Sequence, residues 1–335
     1  MNNSLGSADV IVERNVEVPM RDGTVLRADI WRPDATGQFP VLIERTPYDK
    51  TASSESSLGA GEYYASHGYV TVIQDVRGRF ASDGVFYPFR DDGDGENQDG
   101  YDTVEWAAAQ PWSNKKIGTI GGSYSGATQY RMLATQPPHL VAQFVRQSSS
   151  DYYIEWVYRS GVFEHGFNIS WTLKHASTNA AKLAPDGMED EVVTRLNKAS
   201  DDYQKWLEHV PISPLLPVAD LQDWFVDWMD HPNQGEYWNE FSIVRSHDRV
   251  DVPVHHFGSW YDCFLRGTLE NYVGMRSKAV NKQARSGQRL TIGPWVHNPS
   301  PADMRTSGEV DFGEQAKLGW FATRLRWFDY WLKGI

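Results

Sequence analysis

The chain has 335 residues, enough to bury one large core or two fused ones. Thirty-two Lys and Arg against 44 Asp and Glu leave a net charge of −12 with no basic cluster, which excludes wrapping of a nucleic-acid backbone. A single cysteine, Cys263, excludes internal disulfides and a cysteine-based zinc site, and it fits a reducing cytoplasm.

The opening "MNNSLGSADV" has neither the basic nor the apolar region of a signal peptide. No apolar run approaches the roughly 20 residues of a membrane span, so no membrane association is expected. "IVERNVEVPMRDGTVLRADIWRP" is two alternating runs around Arg21-Asp22-Gly23, a hairpin signature. Three apolar runs follow, "FPVLIERTPY", "GYVTVIQDVRG" and "KKIGTIGGSY", with a helix predicted over 101–109 and Asp99 as its cap. Apolar strands alternating with helices imply a mostly parallel sheet covered on both faces. The acidic run "RDDGDGENQDG" lacks the EF-hand spacing and reads as a solvated loop.

"LVAQFVRQSS" is a further strand, and then the pattern changes. Residues 151–245 show helical stretches at 189–207 and 221–229 with a break at "PISPLLPVAD", which reads as a helical cap inserted into the sheet domain. The sheet resumes with "VDVPVHHFGSW" and "QRLTIGPWV", and a helix through "LGWFATRLRWFDYWLKG" closes the chain. The predicted organisation is an α/β domain made of 1–150 and 246–335 with a cap at 151–245. Aromatic residues concentrate in 152–171, 224–261 and 320–331, where they either pack a core or wall a substrate pocket.

"TIGGSYSGAT" carries the chemistry. Ser123 falls between an apolar strand and a predicted helix, the setting of a nucleophile elbow, although the closing glycine of G-x-S-x-G arrives one residue late at Gly126. The alternative is a structural glycine turn. The Tyr124 backbone N–H, next along, would point at a developing oxyanion. A serine needs a base, and the base needs an orienting carboxylate. His297 follows the last strand and Asp262 follows the one before, so all three lie at strand carboxyl ends in the chain order Ser, acid, His. His255 and His256 lie within a strand and read as structural, and no histidine or carboxylate cluster has metal spacing. Cys263 reads as a small buried hydrophobe.

With these residues in hand, the chain resembles the α/β-hydrolases that include bacterial cocaine esterase, α-amino-acid ester hydrolases, glutaryl acylases and Xaa-Pro dipeptidyl peptidases. The resemblance runs in order through "VPMRDGTVLRADIWRP", "RTPYDK", "IQDVRGRFASDGVF", "DGYDTVEWAAAQPWSNKKIGTIGGSYSGATQ", "GSWYDCF" and "GPWVH". It implies an α/β-hydrolase fold, a nucleophile pattern G-x-S-Y-x-G that accounts for the late glycine, and a Ser123–Asp262–His297 triad with no cofactor. It also implies that the Tyr48 hydroxyl shares an oxyanion hole with the Tyr124 N–H, and that Trp156, Trp171 and Phe264 line the acyl pocket. Phe264 and Leu265 stand where the amino-acid ester hydrolases carry two carboxylates that hold an ammonium, so an uncharged acyl ester is the small-molecule partner implied. Amide cleavage by an acylase or an Xaa-Pro peptidase is the alternative.

The resemblance also implies a jelly-roll domain after "FDYWLKG", which this chain is expected to lack. Much of the apolar stripe Phe321, Leu325, Phe328 and Trp331 is expected to face the sheet, and the rest to be covered by such a domain, lost by truncation or processing, or by a second copy in a homo-oligomer. A reading from a different class follows, a non-catalytic core and cap serving as an interaction module.

Overall fold

The computed structural model describes residues 9–212 and 220–335. Eight strands form one sheet: β1 (Val10–Pro19), β2 (Val25–Pro33), β3 (Phe39–Thr46), β4 (Val70–Asp75), β5 (Ser113–Thr119), β6 (Leu140–Arg146), β7 (Val254–Tyr261) and β8 (Arg289–Val296). Their order is β1-β2-β4-β3-β5-β6-β7-β8. Only β2 runs against its neighbours, and every pairing from β4 to β8 is parallel. The expected hairpin joins β1 and β2, with Gly23 at φ +85° in its turn.

The central strands are buried on both faces because helices cover both. On β3, Val41 and Ile43 join the core that also takes Val104 and Ala107 of the helix at Asp99–Ala108. Leu42, one residue between, points the other way into a core with Tyr64 of the helix Ala60–Ser66 and Trp320 and Phe328 of the helix Trp320–Phe328. That two-residue alternation is what allows one apolar strand to serve two layers.

Asp99 is not the helix cap. Gln98 occupies that position, and Asp99 is the first helical residue, buried and held by both the Nη2 and Nε of Arg77 at 2.6 and 3.0 Å. Asp92 is likewise buried against Arg45 Nη1 at 2.5 Å. The acidic run is thus partly an internal ion-pair network rather than a solvated loop, since a carboxylate taken from water needs a cation in exchange.

The expected helix over 189–207 divides at Asp202 into Glu189–Asp201 and Tyr203–Glu208. With His165–Thr178 and Asp223–Asp230, these helices fold above the sheet's carboxyl edge, and among the described cap residues strand pairing is confined to the Tyr158–Arg159/Val162–Phe163 hairpin and a single Asp151–Ser242 bridge. Most of the "PISPLLPVAD" break lies outside the described residues. The aromatics of 152–171 and 224–241 build a third core, in which Trp156, Trp171, Trp224, Trp228 and Trp238 close over Tyr124.

The stripe on the last helix packs largely against the chain's own sheet, with Phe328 buried and Phe321, Leu325 and Trp331 half-buried. Phe328 fills the space that Gly118 leaves, where a Cβ would come within 2.6 Å of its ring. Phe321 stacks on Tyr63 at 4.4 Å, and Leu325 and Trp331 pack against the same core. Arg324, fully buried, pairs with Glu55 at 2.7 Å. Much of the stripe thus faces the chain's own sheet, as its helical spacing implies, while three of its four side chains keep part of their surface outward.

Candidate active site

The strand β5 runs into Ile120-Gly121-Gly122, turns at Ser123, and continues as the helix Tyr124–Met132. Ser123 sits at φ +57°, ψ −123°, a conformation that costs a serine about 1–3 kcal/mol and lifts its side chain off the sheet edge. Two glycines make the turn possible. A Cβ on Gly121 would lie 2.6 Å from that of Ser125, and one on Gly126 would lie 2.6 Å from that of Ser148 beyond β6. The late glycine therefore belongs where the helix crosses β6. Ser125, in the usual glycine position, is tolerated because its hydroxyl turns down to Glu44 Oε1 at 3.0 Å.

Strand register explains the partners. Tyr261 of β7 pairs with Val296 of β8, so the next residues, Asp262 and His297, emerge side by side. His297 Nδ1 lies 2.8 Å from Asp262 Oδ1, and the Asp262 side chain is fully buried. His297 and Ser123 face one cavity of about 510 Å³. No hydrogen bond joins the two. The Tyr48 hydroxyl instead adjoins the Ser123 side chain, the Tyr124 backbone and, at 3.5 Å, Trp171 Nε1. Desolvation pushes that phenol above its ordinary range against those hydrogen bonds, so it stays a neutral donor.

Trp171 lines the cavity, whereas Trp156 and Phe264 stand behind it. Those two stack face to face at 5.0 Å, and Trp156 meets Trp171 edge-on at 5.5 Å. Phe264 touches the far side of His297, with ring centroids 5.5 Å apart.

Cys263 is exposed, not buried, because it lies in the turn immediately after β7. Its thiol is pushed up to about 12 by local desolvation and by the Asp262 carboxylate 3.6 Å away. The donor atoms of Asp262, Cys263 and His297 lie within 4.8 Å of one another. As a metal site they are poorly suited, since Nδ1 and Oδ1 already bond each other and a protonated thiol is a weak ligand.

Arg146 and Gln147, at the carboxyl end of β6, hold the histidine loop. Gln147 Nε2 donates to Val296 O and to Ser259 Oγ, both at 2.7 Å, while its Oε1 accepts from Asn298 N at 3.1 Å. Arg146 Nη1 donates to Asn298 O at 2.5 Å. His297 is thereby gripped on both sides. A charged and an amide residue at the carboxyl end of an apolar strand was the available signal. His175, which like His165 lies in the aromatic part of the cap where substrate contact is open to it, lines the cavity, whereas Arg79 gave no such signal. His175 is buried against Trp171 and Tyr48 with both ring nitrogens unpartnered, and burial holds it neutral.

An eight-stranded sheet with one reversed strand and a strained serine turn above its carboxyl edge defines an α/β-hydrolase fold. Comparison with known proteins agrees. The model of the X-Pro dipeptidyl-peptidase (S15) family matches residues 22–299. Cocaine esterase of Rhodococcus sp. (strain MB1 Bresler) is 32% identical over 295 residues, covering 86% of this chain and 49% of that protein. A CocE/NonD family hydrolase from Staphylococcus aureus superposes with a TM-score of 0.69 at 23% identity over 97% of this chain and 51% of its own. An aminopeptidase from a Thaumarchaeota archaeon does so with a TM-score of 0.72 at 21% identity over 100% and 56%. The chain belongs to the X-Pro dipeptidyl-peptidase (S15) family. It spans about half the length of these relatives. Among the described residues, no helix is long and apolar enough to cross a membrane.

Proposed function

We propose that the chain is the catalytic core of a serine hydrolase that cleaves carboxylic esters, with residues 1–150 and 246–335 as the catalytic unit and 151–245 as its cap. One observation carries the reading: a serine held on a strained turn shares a cavity with a histidine whose far nitrogen bonds a buried carboxylate.

Asp262 Oδ1 keeps the proton of His297 on Nδ1, which leaves Nε2 with a lone pair toward the cavity. As the Ser123 oxygen attacks the acyl carbon, its proton passes to Nε2 and the carbonyl electrons move onto oxygen. The Tyr48 hydroxyl and the Tyr124 N–H receive that oxyanion. Collapse of the tetrahedral species breaks the ester C–O bond, and the departing alkoxide takes the proton from Nε2. Water, deprotonated in the same way, then releases the acid and restores Ser123. Side chains and water balance every step. The serine–histidine bond that the free structure lacks is one that hydrolases commonly tighten only around substrate.

A second reading, cleavage of an X-Pro amide, draws support from the family description. Against it, a dipeptide's free ammonium would find no carboxylate among the described residues that line the cavity. A panel of aryl esters and Xaa-Pro anilides decides between them. The ester reading expects at least a hundredfold higher kcat/KM on the esters, and comparable efficiency on the anilides would overturn it.

A further inference from the structure

Three cations line the Ser123 cavity, Arg79, Arg146 and Lys174, and no Asp or Glu does so among the described residues. Their settings differ. Arg79 gives all its guanidinium nitrogens to Pro47 O, His175 O and Thr178 Oγ1 at 2.8–3.0 Å. Lys174 stands exposed at the cap edge, with no ion-pair partner among the described residues. Arg146 ends β6 and is 3% exposed. Its carbonyl accepts the Ser123 N–H at 3.0 Å, and its Nη1 donates to the carbonyl of Asn298, the residue after His297. Its guanidinium lies flat against Gly122, where a Cβ would come within 2.4 Å of Cζ. Gly122 has no positive φ, so space rather than backbone conformation accounts for that glycine. One residue therefore touches both the serine turn and the histidine loop.

Arg146 is also a buried cation without a counter-ion. Among the described residues it pairs with no carboxylate, its Nη2 makes no hydrogen bond, and its Nε is buried without a partner. Burial holds it below the ordinary guanidinium range, while Glu55, Glu44 and Asp262 support its charge from a distance. Such a cation is unfavourable in the resting site and becomes favourable once negative charge develops beside it. Its field reaches the oxyanion hole: burial pushes the Tyr48 phenol up, and the charge of Arg146 is among the influences that oppose it. What favours negative charge on the Tyr48 oxygen also favours it on an oxyanion bound to that hydroxyl. We propose that Arg146 is a positioning residue for the hydrolysis, one that ties the Ser123 turn to the His297 loop and sets positive charge beside the oxyanion. The inference rests on the hydrolase reading of Ser123 and adds a residue to it.

The test compares Arg146→Lys, which keeps the charge, with Arg146→Gln and Arg146→Met, which remove it. On 4-nitrophenyl hexanoate the two neutral variants should lose about tenfold or more in kcat, with KM within about threefold of wild type. Arg146→Lys should be about fivefold or more faster than Arg146→Gln. A matched pair of inhibitors separates charge from shape. The carbonyl carbon of 1,1,1-trifluoro-2-octanone takes the Ser123 oxygen, the serine proton passes to His297, and the ketone oxygen becomes an anion in the hole. Its twin 2-octanone binds without that addition. Removing the charge should weaken the trifluoromethyl ketone about tenfold and 2-octanone by less than about threefold. Wild-type kcat in the neutral variants, equal loss in Arg146→Lys and Arg146→Gln, or equal weakening of both ketones overturns the proposal. If only one neutral variant folds, the two ketones measured on it decide the matter alone. Failure of the hydrolase reading would register elsewhere, as wild-type protein that turns over no ester at all.

Discussion

The floor and the roof of the cavity are built on opposite rules. On the floor, the atoms that place the catalytic groups are tied by hydrogen bonds: Gln147 bridges Val296 O, Ser259 Oγ and Asn298 N, Asp262 Oδ1 takes His297, and Ser148 Oγ donates to the Ser123 carbonyl at 2.8 Å. In the roof, the cap presents stacked rings, a neutral histidine with no partner and a lysine with none. A matched network holds atoms to a fraction of an ångström, which is what bond-making needs. An aromatic wall with unanswered polar groups selects what enters. The floor should therefore govern kcat and the roof KM.

That division can be broken by experiment, and the largest effect should come from the floor. Asp262→Asn keeps the shape but presents the wrong hydrogen-bonding group to Nδ1, so kcat on an aryl ester should fall about 10³–10⁴-fold with KM little changed. Tyr48→Phe removes one oxyanion donor and should cost on the order of 3 kcal/mol, about a hundredfold in kcat. Gln147→Leu frees the loop that carries His297; steady-state kinetics should show kcat down roughly tenfold, with Gln147→Glu, which keeps the acceptor, recovering part of it. From the roof, Trp171→Ala should raise KM about tenfold and change kcat by less than about threefold. If the tryptophan variant lost kcat while the glutamine variant lost only affinity, the division would be wrong.

The smallest effect is on stability. Glu155, buried where the chain enters the cap, is raised to about 7 from 4.5, chiefly by desolvation. The folded state thus holds a proton that the unfolded chain releases. Its contribution is complete below about pH 4.5 and is lost as pH rises through about 7. Chemical denaturation at pH 5 and pH 8 should show up to about 3 kcal/mol less stability at the higher pH, and Glu155→Gln should flatten that difference.

The sheet and the elbow were legible because their signals are local and redundant. Apolar runs of strand length, the glycines about Ser123, and polar residues just past strand ends all carry meaning without tertiary knowledge. Pairing between distant residues was not legible. Asp99 looked like a cap because the arginine that neutralises it, Arg77, lies 22 residues away on another element. Cys263 looked buried by residue type, but its exposure depends on a turn that only the sheet edge defines. Among the three aromatic residues placed in the pocket, Trp171 reaches the cavity while Trp156 and Phe264 stack behind it. Residue type cannot separate a wall from its backing. The basic lining was invisible for the same reason, since Arg79 and Lys174 lie 95 positions apart and come to one cavity only through the fold of the cap.

The central claim is that Ser123 is an activated nucleophile. Its most direct test is reaction of the protein with a fluorophosphonate probe, with the adduct located by peptide mass spectrometry in wild type and in Ser123→Ala. The account predicts one adduct, on Ser123, absent from the variant. A folded protein that stays unlabelled, or that is labelled equally in the variant, would contradict it and leave the core and cap as an interaction module.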